Sequence, residues 1–201
     1  MNDRRSAASG RSCGAIIWLV ALVAGIGATI ATPSVTEAST FDRAWALSGY
    51  VTGGGGNYGT AGVGGRIRWE VLPGSFGLEV FGQQVAVDWP GPQRSDHVGG
   101  FAAYVPFSLG SRVRIRPKAG FCGMLSLVDG GATRGRDDDV MTGAHAGIGL
   151  EVAVHERVVV FADTDTWAYL GNDTRLDGWT RSGNLGFSTL GTFSAGVQIQ
   201  L

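Results

Sequence analysis

From Phe41 onward, apolar and polar side chains alternate with a period of two, and no stretch keeps apolar residues at helical spacing for three turns. The pattern is clearest from Arg112 to Phe121, where Arg112, Arg114, Arg116 and Lys118 interleave with Val113, Ile115, Pro117, Ala119 and Phe121. Successive side chains of an extended chain point to opposite faces, so one strand gathers four cations on one side. The same period runs through Val63 to Glu70, Phe76 to Gln83, Phe101 to Phe107, Ala144 to Val152 and Phe193 to Leu201, and more weakly through Trp45 to Val51 and Val158 to Trp167. These windows predict eight strands, an even number that lets an up-and-down sheet close on itself. The connections alternate in length. Leu72-Pro73-Gly74, Leu109-Gly110-Ser111 and Val154-His155-Glu156 are tight, whereas Gly53 to Gly59, Asp88 to Asp96, Asp129 to Asp139 and Leu170 to Gly186 are long. Short turns at one end and long polar loops at the other are the pattern of transmembrane barrels.

The two faces differ in side-chain size as well as polarity. The charged faces hold Gly64, Gly77, Gly120, Gly143, Gly147, Gly149 and Gly196, small residues that make room for long neighbours in the narrow interior of an eight-stranded barrel. The apolar faces carry no Asp, Glu, Lys or Arg along the predicted strands. A lipid-facing band requires this, since a cation there costs about 2–4 kcal/mol at the midplane. Trp45, Trp69, Phe76 and Phe107 fall near the short-turn ends and Trp89, Phe101, Trp167 and Tyr169 near the long-loop ends, which predicts two aromatic girdles. A soluble periplasmic lipid-binding barrel, with its apolar face turned inward, is the alternative. Pro117 lacks a ladder donor in a sheet without an edge, so a bulge is expected there.

Residues 1–38 have a separate character. Arg4, Arg5 and Arg11 precede an apolar run from Ala15 to Ile30, Pro33 ends it, and Thr36-Glu37-Ala38 offers small residues for cleavage, with Ala31 as a second position. This is the three-part pattern of a secretory signal peptide, and the run is shorter than the roughly 20 residues of a membrane-spanning helix. Cleavage discards Cys13 and leaves Cys122 alone, so neither an internal disulfide nor a CxxC metal site is expected. A net charge of −1 with only 16 % charged residues gives no basic surface for nucleic acid.

With these features the chain from Phe41 to Leu201 resembles the small eight-stranded outer-membrane proteins typified by the transmembrane domain of outer-membrane protein A and by outer-membrane protein X. The last strand, with Phe193, Val197, Ile199 and Leu201, looks like the family's C-terminal assembly signal, although Leu201 stands where the family usually has an aromatic residue. The resemblance implies an eight-stranded antiparallel up-and-down transmembrane β-barrel over residues 39–201. It further implies a structural or surface-interaction role without catalysis or cofactor, with outer-membrane lipid and the barrel-assembly machinery as partners. No residue-level functional motif carries over.

The inward charges are the first candidate site. Arg66, Arg68, Arg112, Arg114, Arg116 and Lys118 are expected to pair with Glu70, Glu79, Glu151, Asp163 and Asp165, because an unpaired buried charge is expensive. Hairpin parity sets Glu79 beside Arg66 or Arg68, Tyr104 opposite Arg116, and His145 opposite Asp165. The lumen is then plugged; an anion path through it is the alternative. Asp129 and Asp137-Asp138-Asp139 read as a solvated acidic loop rather than a metal site, since no Asp-x-Asp-x-Asp-Gly calcium loop is present. Ser95-Asp96-His97 looks like a triad but cannot act as one, because neighbours on a strand face opposite ways. A Ser and a His together on the lipid-facing upper wall would favour an enzyme acting on lipid or lipopolysaccharide. His155 falls in a short turn. The second candidate site is the longest connection, Gly171 to Gly186, where Asp173, Arg175, Trp179 and Arg181 could meet an unidentified surface ligand, since aromatic and Arg side chains dominate binding hot spots.

Overall fold

The computed structural model describes residues 41, 43–55, 59–88, 94–128, 137–170, 180–181 and 187–201. The chain divides into the units Met1–Thr36 and Glu37–Leu201. The first, with the expected signal peptide, lies outside the described residues, as do Trp89, Asp129, Asp173, Arg175 and Trp179. Eight long strands build the second: β1 (Trp45–Gly55), β2 (Gly59–Leu72), β3 (Phe76–Asp88), β4 (Arg94–Tyr104), β5 (Val113–Val128), β6 (Asp137–His155), β7 (Val158–Leu170) and β8 (Phe187–Gln200). Each pairs antiparallel with the next, and β8 pairs back onto β1, from Ala46 opposite Gln200 to Gly55 opposite Gly191. The sheet is therefore a closed up-and-down barrel. Two-residue strands, Phe107–Ser108 on β5 and Thr180–Arg181 on β8, extend it.

The register fixes the stagger. From Gly49 it reaches Gly123 in β5 through β2, β3 and β4, but Val113 through β8, β7 and β6, an offset of ten residues. A stagger of this kind tilts the strands and makes a narrow barrel whose interior side chains fill.

Apolar side chains point out. Leu47, Val63, Ile67, Val80, Phe101, Phe121, Ile148, Leu150, Val197 and Ile199 are all exposed, whereas Arg68, Arg114, Arg116, Glu79 and Glu151 are among the most deeply buried side chains. Among the described residues, the outward positions of the strands carry no carboxylate or cation except Asp88 and Asp138, near the long-loop ends of β3 and β6. This is the reverse of a soluble barrel, and the periplasmic lipid-binding alternative fails on it. At the short-turn end Trp45 and Trp69 stack outward with ring centroids 5.5 Å apart, the core of one girdle.

Several expectations are corrected. The ladders run past the apolar windows: β4 starts at Arg94 rather than Phe101, and Asp137 to Asp139 belong to β6, opposite Val128, Leu127 and Ser126, rather than to a loop. Backbone pairing continues above the apolar band, where alternation no longer marks it. Phe101 accordingly lies nearer the short-turn end of its strand and packs on Phe121 at 5.8 Å. Trp167 and Tyr169 are not girdle residues; both point inward and are buried.

The expected bulge at Pro117 is absent, and β5 pairs with β6 without interruption through Pro117 opposite Ile148. The neighbouring strand yields instead. β4 stops at Tyr104 and pairing resumes at Phe107, in unchanged register, with Val105 N donating to the Pro117 carbonyl at 3.1 Å. The missing donor thus faces a break in its partner.

Candidate functional site: a lumen in two layers

The lower lumen is an ion-pair cluster. Five cations, Arg66, Arg68, Arg114, Arg116 and Lys118, face five carboxylates, Glu70, Glu79, Glu151, Asp163 and Asp165. Arg116 is the hub and is 0 % exposed. Its guanidinium reaches Glu79 at 2.6 Å, Glu151 at 3.1 Å and Asp163 at 3.2 Å. Arg66 pairs with Asp163 and Glu79, Arg68 with Glu151, and Arg114 with Glu70 and Glu151. Lys118 contacts Asp165 at 3.0 Å and Asp163 at 3.2 Å. Charges removed from water are tolerable only when paired and hydrogen-bonded in this manner. Rings supplement the carboxylates: Arg66 lies 4.1 Å from the Phe161 ring centroid and Arg114 lies 4.3 Å from that of Phe41, which packs with Ala153 and Val159.

Arg112 is placed differently from its three neighbours. It precedes β5, is half-buried, and its carbonyl accepts from Ala153 N at 2.8 Å.

The register moves two of the expected pairs. Glu79 stands opposite Arg68. Tyr104, however, faces Lys118 rather than Arg116, because Leu109 N closes a three-residue turn on the Val113 carbonyl with Gly110 at φ +116, a residue later than expected. His145 faces Trp167 rather than Asp165, because the ladder shifts between Ala153 and His155 and the turn is Glu156-Arg157. Each slip changes the partner by two positions and leaves the face unchanged. Tyr104 still lies beneath Arg116 at 5.2 Å, and His145 Nδ1 is 3.6 Å from Asp165 Oδ1. His155 ends β6, exposed, and accepts from Arg157 N at 3.4 Å.

Inward glycines seat these groups. A methyl at Gly147 would overlap the Asp165 carboxylate, at Gly149 that of Asp163, at Gly64 the Tyr50 ring and at Gly77 the Tyr104 ring.

Above the ions the lumen turns apolar, a layer the charge pattern did not reveal. Phe81, Val98, Cys122, Met124, Met141, Trp167, Tyr169 and Leu190 form one buried cluster. Trp167 stacks on His145 at 4.5 Å and meets Phe81 edge-on at 5.6 Å, and its indole Nε1 donates to Thr192 at 2.8 Å. Parity was the available signal: Trp167 and Tyr169 share the face of Asp163 and Asp165, and Phe81 shares that of Glu79. Higher still, Arg94 grips Asp96 through two bonds of 2.8 and 2.9 Å, and Ser126 donates to Asp96 at 2.7 Å.

Asp96 thus points inward, while Ser95 and His97 share the outward side of β4. Gln84 donates to the Ser95 hydroxyl at 3.2 Å. Among the described residues no group of three His, Cys, Asp or Glu side chains is placed to hold a metal ion.

No protein-family model matches the chain, and no curated protein matches it in sequence. Solved structures do match its shape. Neisserial surface protein A aligns at TM-score 0.55 with 15 % identity, over 79 % of this chain and 97 % of that one. Outer membrane protein OprG from Pseudomonas aeruginosa aligns at 0.54 with 7 % identity, over 81 % and 98 %. Ail, the attachment invasion locus protein of Yersinia pestis, aligns at 0.50 with 13 % identity, over 77 % and 95 %. At these identities the likeness concerns the fold, and in fold the chain is a closed eight-stranded up-and-down β-barrel similar to these small outer-membrane proteins.

Proposed function

We propose that the protein is an integral protein of a Gram-negative-type outer membrane, exported through its N-terminal segment, with a side-chain-plugged lumen and a structural or surface-interaction role. The observation that carries the reading is the division of the wall, with hydrocarbon outside and paired charge inside. Outer-membrane lipid then covers the outward face, and the barrel-assembly machinery inserts the chain. Migration in detergent gels before and after boiling, on isolated outer membranes, is the test. A boiling-dependent shift is expected, and release of the protein by osmotic shock would overturn the reading. Purified protein in planar bilayers is expected to show no stable conductance steps, since an eight-stranded interior is filled by its own side chains. Protease added to intact cells is expected to cut first between Gly171 and Gly186; protection there until the outer membrane is opened would invert the topology.

A second reading has one observation in its favour. Ser95 and His97 share the outward side of β4 toward its long-loop end, where a lipid-modifying enzyme would hold its nucleophile and base. Mass spectrometry of outer-membrane lipid from cells carrying wild type or His97→Ala decides it, and identical lipid profiles remove the enzyme reading.

A further inference from the structure

We propose that the lumen is closed by two seals in series, and that the upper, aromatic seal holds when the ionic one is opened. The inference rests on the plugged-lumen reading. Its lower seal is the cluster centred on Arg116. Its upper seal is the layer of Phe81, His145 and Trp167, backed by Met124, Tyr169 and Leu190 and drawn from β3, β5, β6, β7 and β8.

The partition between the layers is made of side chains alone. A water-sized void below Trp167 is lined by Arg66, Lys118, His145 and Asp165, and a second by Thr52, Thr60, Val85 and Tyr169. Gln83 and Trp167 line both, so both side chains stand between them. Trp167 is held by its bond to Thr192 and by rings on two sides. In the lower void His145 Nδ1 and Nε2, Asp165 Oδ1 and Arg66 Nε have no protein hydrogen-bond partner, which suits a bound water. An ion arriving there would still have to shed its water against Phe81 and Trp167 to move up, and desolvating a charge without a partner is prohibitive.

The seals fail by different means. The ionic layer opens when its charges are neutralised and hydrate, the aromatic layer when ring volume is lost and not refilled. His145, 3.6 Å from Asp165 and stacked on Trp167, links the two layers.

Two paired variants separate the layers: Arg116→Gln with Glu151→Gln, which preserves net charge, and Phe81→Ala with Trp167→Ala. Bilayer recordings of wild type, each pair and the four changes together are expected to show conductance steps in the quadruple variant alone. Cys122 in the apolar cluster reports independently, in a Cys13→Ser background. Its reaction with a charged thiol reagent in folded protein is expected to be unchanged by the ionic pair and about tenfold faster with the aromatic pair, since thiol reactivity follows access. Steady conductance from the ionic pair alone, silence of a quadruple variant that still shows the boiling shift, or equal acceleration of Cys122 labelling by both pairs would overturn the series arrangement. If the quadruple variant does not fold, the thiol rates of the two pairs decide. Conductance by wild type would instead overturn the plugged reading itself.

Discussion

On the inner wall Gly64, Gly77, Gly147 and Gly149 sit against Tyr50, Tyr104, Asp165 and Asp163, and a methyl group at any of them would collide. On the outer wall of the same strands Gly49, Gly65, Gly82, Gly99 and Gly123 are paired in one register row across five strands, and a methyl there meets nothing closer than 3.4 Å. Inner glycines are spaces already taken, and outer ones are spaces left open. The charges follow the same division, paired within and absent from the outward band. What an identical residue contributes is therefore decided by which face it occupies.

The comparison is sharpened most by removing the hub of the inner network. Arg116→Met is expected to cost about 3–5 kcal/mol, because Glu79, Glu151 and Asp163 lose a partner while remaining buried. Urea unfolding of protein inserted in vesicles measures it, and a loss near zero would mean that water already solvates these carboxylates. Putting a charge on the other face is next. Val80→Arg, at an outward position now 62 % exposed, is expected to cost about 2–4 kcal/mol by the same assay if that side meets hydrocarbon. A neutral result would remove the membrane from the picture.

Smaller effects separate the glycines. Gly147→Ala is expected to lose about 1–3 kcal/mol, since Asp165 must leave its seat beside Lys118 and His145. Gly82→Ala, on the outer row, is expected to stabilise the barrel by up to about 1 kcal/mol, because alanine loses less conformational freedom in a strand. Equal effects at the two sites would dissolve the distinction between the faces.

Much of this division is legible without coordinates. Alternation around Arg114 and Arg116 assigns inside and outside, since a strand cannot place neighbours on one face, and an even set of such strands with alternating loop lengths implies closure. The glycines on the charged faces announce a crowded interior for the same reason. Trp167 and Tyr169 were readable too, through their shared parity with Asp163 and Asp165, but their place near a strand end made them look like girdle residues.

Register was not legible. Tyr104 came to face Lys118, and His145 to face Trp167, because turn geometry at Gly110 and the shift between Ala153 and His155 set the pairing, and alternation looks the same after a slip of two. The accommodation of Pro117 likewise depended on where β4 breaks, which only the neighbouring strand could decide. The sequence by itself determined which side chains share a face, because that follows from the period of an extended chain. Only the tertiary structure decided which of them touch across the lumen, because closing eight strands with a stagger of ten residues joins positions far apart in the chain, such as Arg66 and Asp163.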